Sequence, residues 1–424
     1  MSFYMKNNTI SSPWQEAQDI VESIQLPVIP ERQFRMDAVS GSEIRSILQG
    51  LLDECAAAGG GKVVVPRGVY RCDGPLNLKS FTELHFEDGA VIKFSPHPEH
   101  YMPQVFTRWE GVEIFNYSPM IYGRNLTDVA LTGNGTLVCG GEFFTLWRPL
   151  QKAAQKRTHE MAEQGIPVEE RIFTEEDHLR PSFVQLISCE RVLFEGITLM
   201  NAPFWMFHPV YCRDVVFRSI ACDSMNVNND GIDVDSCENV LIENSVFRNG
   251  DDAVVIKSGR DHDGWRVGRP TKNVVIRNCH IPEALHGVAI GSELSGGADG
   301  IYIHDISMGN IFYQAIQFKS NYNRGGVIKN VKVCNVSVEQ VDDNLIYFCS
   351  SYSGIDNGKA PTEFRDFEIE NIRCTKAKNV VHLQGTVEFP LNNIKIRNVS
   401  AAQYQTLCAC REHAGNTEFE FRNC

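Results

Sequence analysis

Four short polar segments follow one another through the middle of the chain: Asn228-Asn229-Asp230, Gly250-Asp251-Asp252, His286-Gly287 and Gln317-Phe318-Lys319. Their residue types suit proton transfer. Carboxyl groups held close together cannot all ionise freely, because like charge and partial burial raise the pKa of one of them. The result is a protonated acid beside ionised partners. Glycoside hydrolysis uses that set: one group protonates the leaving oxygen and another activates water. The case depends on whether the chain brings these segments together.

A repeat supplies the means. From about residue 189 onward a short polar lead, often ending in Asn or Asp, is followed by V/I-x-I/F and a polar turn. The anchor residues are Val192, Val215, Val240, Val274, Ile301, Val331, Phe367 and Ile394, with successive gaps of 23, 25, 34, 27, 30, 36 and 27 residues. A fixed unit with variable loops gives such a spread. Within each unit the apolar residues alternate with period two and many are β-branched, which predicts strands. One unit cannot bury its apolar face alone, so the units must stack into an all-β solenoid.

Three residues before each anchor stand Cys189, Cys212, Cys237, Thr271, Ala298, Ile328, Phe364 and Leu391, an expected inward column that includes a ladder of buried thiols. Asn244, Asn278, Asn335, Asn371 and Asn398 recur after the strand. Their amides are expected to bond their own backbone or to ladder between turns.

Measured from the preceding anchor, Asp230 lies at 15, Asp251 and Asp252 at 11 and 12, His286 at 12 and Lys319 at 18. These offsets place all five on one lateral face. Neighbouring strands are about 4.8 Å apart, so the carboxylates become near neighbours.

Residues 1–36 read as an N-terminal extension and 37–424 as a single solenoid domain. Within the latter, 37–60 predicts a capping helix, with a capping box at Ser40-Gly41-Ser42-Glu43 and a stop at Gly59-Gly60-Gly61. Segment 147–180 breaks the rhythm. It predicts a rim insertion with a helix from Leu150 to Gln164, either a solvated decoration or a wall across one end of a cleft.

The net charge of −13 argues against nucleic acid and anionic membrane surfaces as partners. No apolar run is long enough to predict a membrane span. The N-terminal residues lack a secretory pattern, so a cytoplasmic location with the 14 cysteines reduced is expected. No Cys pair has zinc spacing, and no metal or other cofactor is expected.

The ordered motifs N-x-D, G-D-D and H-G, on a matching repeat, resemble glycoside hydrolase family 28, the polygalacturonase family. The flanks Arg180-Pro181, Trp205 with His208-Pro209, IKSGRDHDG (256–264) and IGSELSGG (290–297) are similar to those of bacterial exo-acting members. The resemblance covers roughly residues 30–400. It implies a right-handed parallel β-helix and inverting hydrolysis of α-galacturonosyl linkages in a pectic oligosaccharide. It further implies Asp251 as general acid, Asp230 and Asp252 as the groups that hold and activate water, His286 tuning the acid or touching the sugar, and Lys319 binding a sugar carboxylate or hydroxyl.

The chain departs from the family's R-x-K motif at Gln317, which cannot fork onto a carboxylate as arginine does. Either another cation replaces it, with Lys257, Arg260 and Arg324 the nearest candidates, or the leaving-side sugar is not a uronate. Asn228 is expected to orient Asp230, and Asp233 to be structural. Gln317, His208, Trp205 and Tyr352 are candidate sugar contacts. Exo action is the softer expectation. A uronate lyase and a non-catalytic carbohydrate-binding solenoid are the alternatives.

Overall fold

The computed structural model describes residues 14–421. The chain winds as a coil of short strands, three to a turn, each paired in parallel with its counterpart one turn on. Ile121–Arg124, Thr127–Gly133 and Thr136–Val138 pair with Val184–Ile187, Glu190–Glu195 and Thr198–Met200. The sequence-predicted anchors form one unbroken ladder: Val192 stands opposite Val215, and the register continues through Val240, Val274, Ile301, Val331 and Phe367 to Ile394. Their side chains join a single apolar core running the length of the coil. Burying each such side chain stabilises the fold by about 1.5–3 kcal/mol.

The polar lead has a conformational reason. The residue before each anchor adopts the left-handed region, with φ between 51° and 72° at Arg191, Asp214, Asn239, Asn273, Gly300, Asn330, Asp366 and Asn393. Asn, Asp and Gly tolerate that region at least cost. Arg191 is the exception by type, and its guanidinium is held by Asp128 at 2.6 Å. The expected Asn positions after the strand are left-handed too, and they ladder: Asn335 donates to Asp305 at 3.1 Å and Asn371 to Asn335 at 3.3 Å. Cys189, Cys212 and Cys237 are buried free thiols stacked in one column, and the Cys212 backbone N–H donates to Cys237 Sγ at 3.3 Å.

Helix α1 (Gln15–Ser23) lies on the outside of the coil, where Trp14, Ala17 and Ile20 pack on Val216, Leu241 and Val275. Helix α2 (Arg45–Ala57) caps the first turn with Leu48, Leu52 and Cys55 buried. It ends as its glycines require: Gly59 N–H bonds Ala56 O and Gly60 N–H bonds Cys55 O, both at 2.9 Å. Its start differs from expectation. Ile44 occupies the cap position without a side-chain cap bond, and Glu43 instead accepts from the backbone of Arg45 and Asp73. Ser40 is drawn away by the backbone of Val69, so no capping box forms. The coil also begins before residue 37, since Gln33–Arg35 pairs in parallel with Gly61–Val65.

Segment 147–180 carries α4 (Lys152–Glu163), preceded by the short α3 (Gly141–Thr145). An antiparallel hairpin, Val105–Trp109 with Val112–Asn116, was not legible in the sequence. Hairpin and insertion share a second apolar cluster of Trp109, Val112, Ile114, Ala154, Phe173, Phe204 and Trp205. Two buried ion pairs tie this region to the rest of the protein: Arg108–Asp235 at 3.0 Å and Arg171–Asp263 at 2.6 Å. Helix α5 (Asp261–Val267) completes the rim.

Candidate active site

The segments converge on one face of the coil. Strand Ile232–Asp235 pairs with the end of Val246–Lys257, which pairs with His280–Gly291, which pairs with Gln314–Lys319. Asp252 stands opposite His286, and the N–H of Gly231 donates to Asp252 O at 3.0 Å, so Asp230 lies beside Asp252. The glycines after Asp230 and His286 are sterically required. A Cβ on Gly231 would lie 2.3 Å from Ala253 O, and one on Gly287 would lie 2.3 Å from Ala315 O.

A polar cavity of about 240 Å³ opens here. Ten expected residues line it: Asn228, Asp230, Asp251, Asp252, Lys257, Arg260, Lys319, Arg324, Trp205 and Tyr352. Lys319 Nζ chelates Asp252 at 2.9 and 3.2 Å and lies 5.3 Å from the Tyr352 ring centre. Asn228 Nδ2 donates to Asp251 Oδ2 at 3.3 Å, so its observed partner is Asp251 and not Asp230. One ring nitrogen of His286 and one oxygen each of Asp251 and Asp252 lie within 4.8 Å of one another. The three could hold a cation, although Lys319 already neutralises Asp252.

Two expected sugar contacts lie elsewhere. Gln317 is buried, stands two turns on opposite Ala289, and donates to Asp252 Oδ1 at 2.7 Å. His208 is buried behind Trp205, edge-on at 4.8 Å, and bonds Gln185 and Asp235. Both are supports for cavity residues.

Electrostatics divides the carboxyls. Burial, then the charge of Asp252, pushes Asp251 up to about 6. Burial would also raise Asp252, but Lys319, His286 and Lys257 outweigh it and hold Asp252 below its usual range. Asp230 is pushed well up by burial, then by Asp233 and Asp251. Asp233 is pushed up by burial even with Lys257 at 3.5 Å. His286 is lowered to about 4 by burial and Lys319, so it is neutral near pH 7.

The three candidate replacement cations all face the cavity, and each has an acidic partner. Lys257 bonds Glu293 at 2.9 Å, Arg260 bonds Glu110 at 3.3 Å, and Arg324 bonds Asp261 at 2.6 Å. Glu293 and Ser292 also line the site, and they fall inside the 290–297 stretch whose flanking resemblance was the available signal. Glu110 and Gln155 line it as well. They come from the hairpin and the insertion, outside the repeat, and no sequence signal pointed to them.

A parallel β-helix with an ionised and a protonatable carboxyl side by side in a sugar-sized cleft defines a glycosidase of the acid–base type. Residues 76–417 match Glycosyl hydrolases family 28, and the chain belongs to that family. It is 30% identical over 82% of its length to a probable polygalacturonase of Vitis vinifera, covering 68% of that protein. An exo-poly-alpha-D-galacturonosidase of Dickeya chrysanthemi is 21% identical over 89% of this chain and 70% of its own. Among solved structures, a hyperthermoactive exopolygalacturonase from Thermotoga maritima superposes with a TM-score of 0.85 at 33% identity, over 96% of this chain and 95% of its own. The coil is accordingly the right-handed parallel β-helix of these enzymes.

Proposed function

We propose that this glycosidase cleaves α-galacturonosyl linkages at the end of a pectic oligosaccharide, with inversion at the anomeric carbon. One observation carries the assignment of roles: Asp251 and Asp252 are adjacent in sequence and in space, yet only Asp252 is pinned ionised by Lys319. Asp251 is then the general acid for the leaving oxygen. Asp252 is the base that takes the proton from water. Asp230, raised by burial, holds that water by hydrogen bonding. Inversion is the mechanism of the family the chain belongs to, and it needs space for one water beside the acid and base; Asp230, Asp251 and Asp252 all line the same cavity.

Exo action is supported by the similarity to the exo-acting enzymes of Thermotoga maritima and Dickeya chrysanthemi; Glu110 and Gln155, from outside the repeat, line the cavity and are the candidate barrier to a longer chain. Gln317, buried and bonded to Asp252, offers no cation to a leaving-side carboxylate. The leaving-side sugar therefore need not be a uronate.

Defined galacturonate oligomers, linear and rhamnose-linked, test the reading. Release of monomer with the β anomer appearing first, and without ultraviolet-absorbing unsaturated product, is the expected result. Asp251→Asn should reduce the rate by about 10²–10⁴-fold. A ladder of mid-sized products would reject exo action. An unsaturated product would transfer the site to β-elimination.

A further inference from the structure

A second cavity of about 520 Å³ flanks the catalytic one and shares Arg260 with it. Its walls follow the C-terminal ends of the site strands. His262 and Trp265 come after Val246–Lys257, Asn323 after Gln314–Lys319, and Asn357 to Ala360 after Val327–Cys349. Helix α4 contributes to both along one face: Gln155 lines the catalytic cavity, and His159, one turn on, lines the second. A linear chain bound across the carboxylates crosses the strands, so this space lies to the side of its path.

Its chemistry suits a sugar ring. The Trp265 side chain is exposed at 40% and is fixed at its edge, where Nε1 donates to Arg324 O at 2.7 Å. His262 packs on the same ring, centres 4.7 Å apart. An aromatic face fixed in the open is a platform for the C–H face of a sugar. Side-chain donors are also present, since Asn323, Asn357 and Lys359 line the cavity. The charges balance, with Arg260 and Lys359 against Asp261 and Glu163. That balance favours a neutral ring over a uronate.

We propose that this side cavity binds a neutral monosaccharide branch of the pectic chain, so that the preferred substrate is substituted. The inference rests on the reading that the catalytic cavity binds galacturonate oligosaccharides.

The test compares a linear galacturonate trimer with the same trimer carrying one neutral pentose branch. Wild-type protein should show the lower KM for the branched trimer. Trp265→Ala should raise that KM about tenfold and leave kcat and the linear trimer unchanged, and Trp265→Phe should retain most of the preference. Equal KM values for both trimers in the wild type, or equal effects of Trp265→Ala on both, would overturn the side cavity while leaving the catalytic reading in place. A separate readout covers failure of that reading. In protein labelled with 5-fluorotryptophan, the fluorine resonance absent from Trp265→Phe should shift on titration with xylose, in wild type and Asp251→Asn alike. No shift overturns the proposal whatever the turnover.

Discussion

Arg180 donates from one terminal nitrogen to Asn228 Oδ1 at 2.8 Å, and Asn228 in turn donates to Asp251 at 3.3 Å. The same guanidinium bonds the backbone oxygen of Val227 at 2.9 Å and Gln151 Oε1 at 3.1 Å. A fully buried arginine thus connects the rim insertion to the proposed acid through one amide. The planar fork serves several acceptors at once, which a lysine cannot do.

Arg180→Lys should therefore lower kcat/KM by about 10–100-fold while the fold persists, because Asn228 loses its anchor and Asp251 its fixed orientation. Steady-state kinetics with circular dichroism checks this. Unchanged kinetics would show that Asn228 holds its place through the local backbone alone.

The pH dependence follows from the carboxyl pair. Asp251 must be protonated to act, and burial with the Asp252 charge places it at about 6. Activity of the free enzyme should fall as pH rises through that value. The folded pKa is above the unfolded one, so the folded state holds the extra proton between the two values and stability falls across the same window as pH rises. Removing the carboxylate removes that penalty at neutral pH. Asp251→Asn should melt higher at pH 7 by a few degrees and gain nothing at pH 4, as read by calorimetry. A mutant less stable at pH 7 would show that Asp251 is not held against its own ionisation.

Gln317 offers a third test. It donates to the same oxygen of Asp252 that Lys319 approaches at 3.2 Å. Gln317→Leu removes one of the bonds that favour the ionised form, so the acidic limb of the rate profile should move to higher pH and kcat should drop about tenfold. A changed KM with the limb unmoved would instead mean that the amide touches the sugar.

The coil was legible because its physics is local and repeated. Val192 through Ile394 declare an inward ladder by apolar alternation, and Asp214, Asn239 or Asn393 mark the polar position before each anchor, which the structure shows to be left-handed. Once that register is known, Asp230, Asp252 and His286 must share a face. The contrary cases are those in which partners come from outside the repeat. Glu110 and Gln155 reach the site from a hairpin and an inserted helix, and neither is set by periodicity. Gln317 looked like a displaced ligand, but whether a side chain on a strand faces the cavity or another side chain is decided by packing two turns away. The capping box failed for a similar reason, because Ser40 found a backbone partner in Val69.

The apolar cluster under the rim has a consequence for how the cleft keeps its shape. Trp109 and Phe204 stack at 5.5 Å, Phe204 and Trp205 at 5.0 Å, and Trp205 borders the catalytic cavity. The inserted helix stands on the same cluster through Ala154 and Ala162. Displacing the rim would therefore unpack the cluster that backs Trp205, a wall of the cleft.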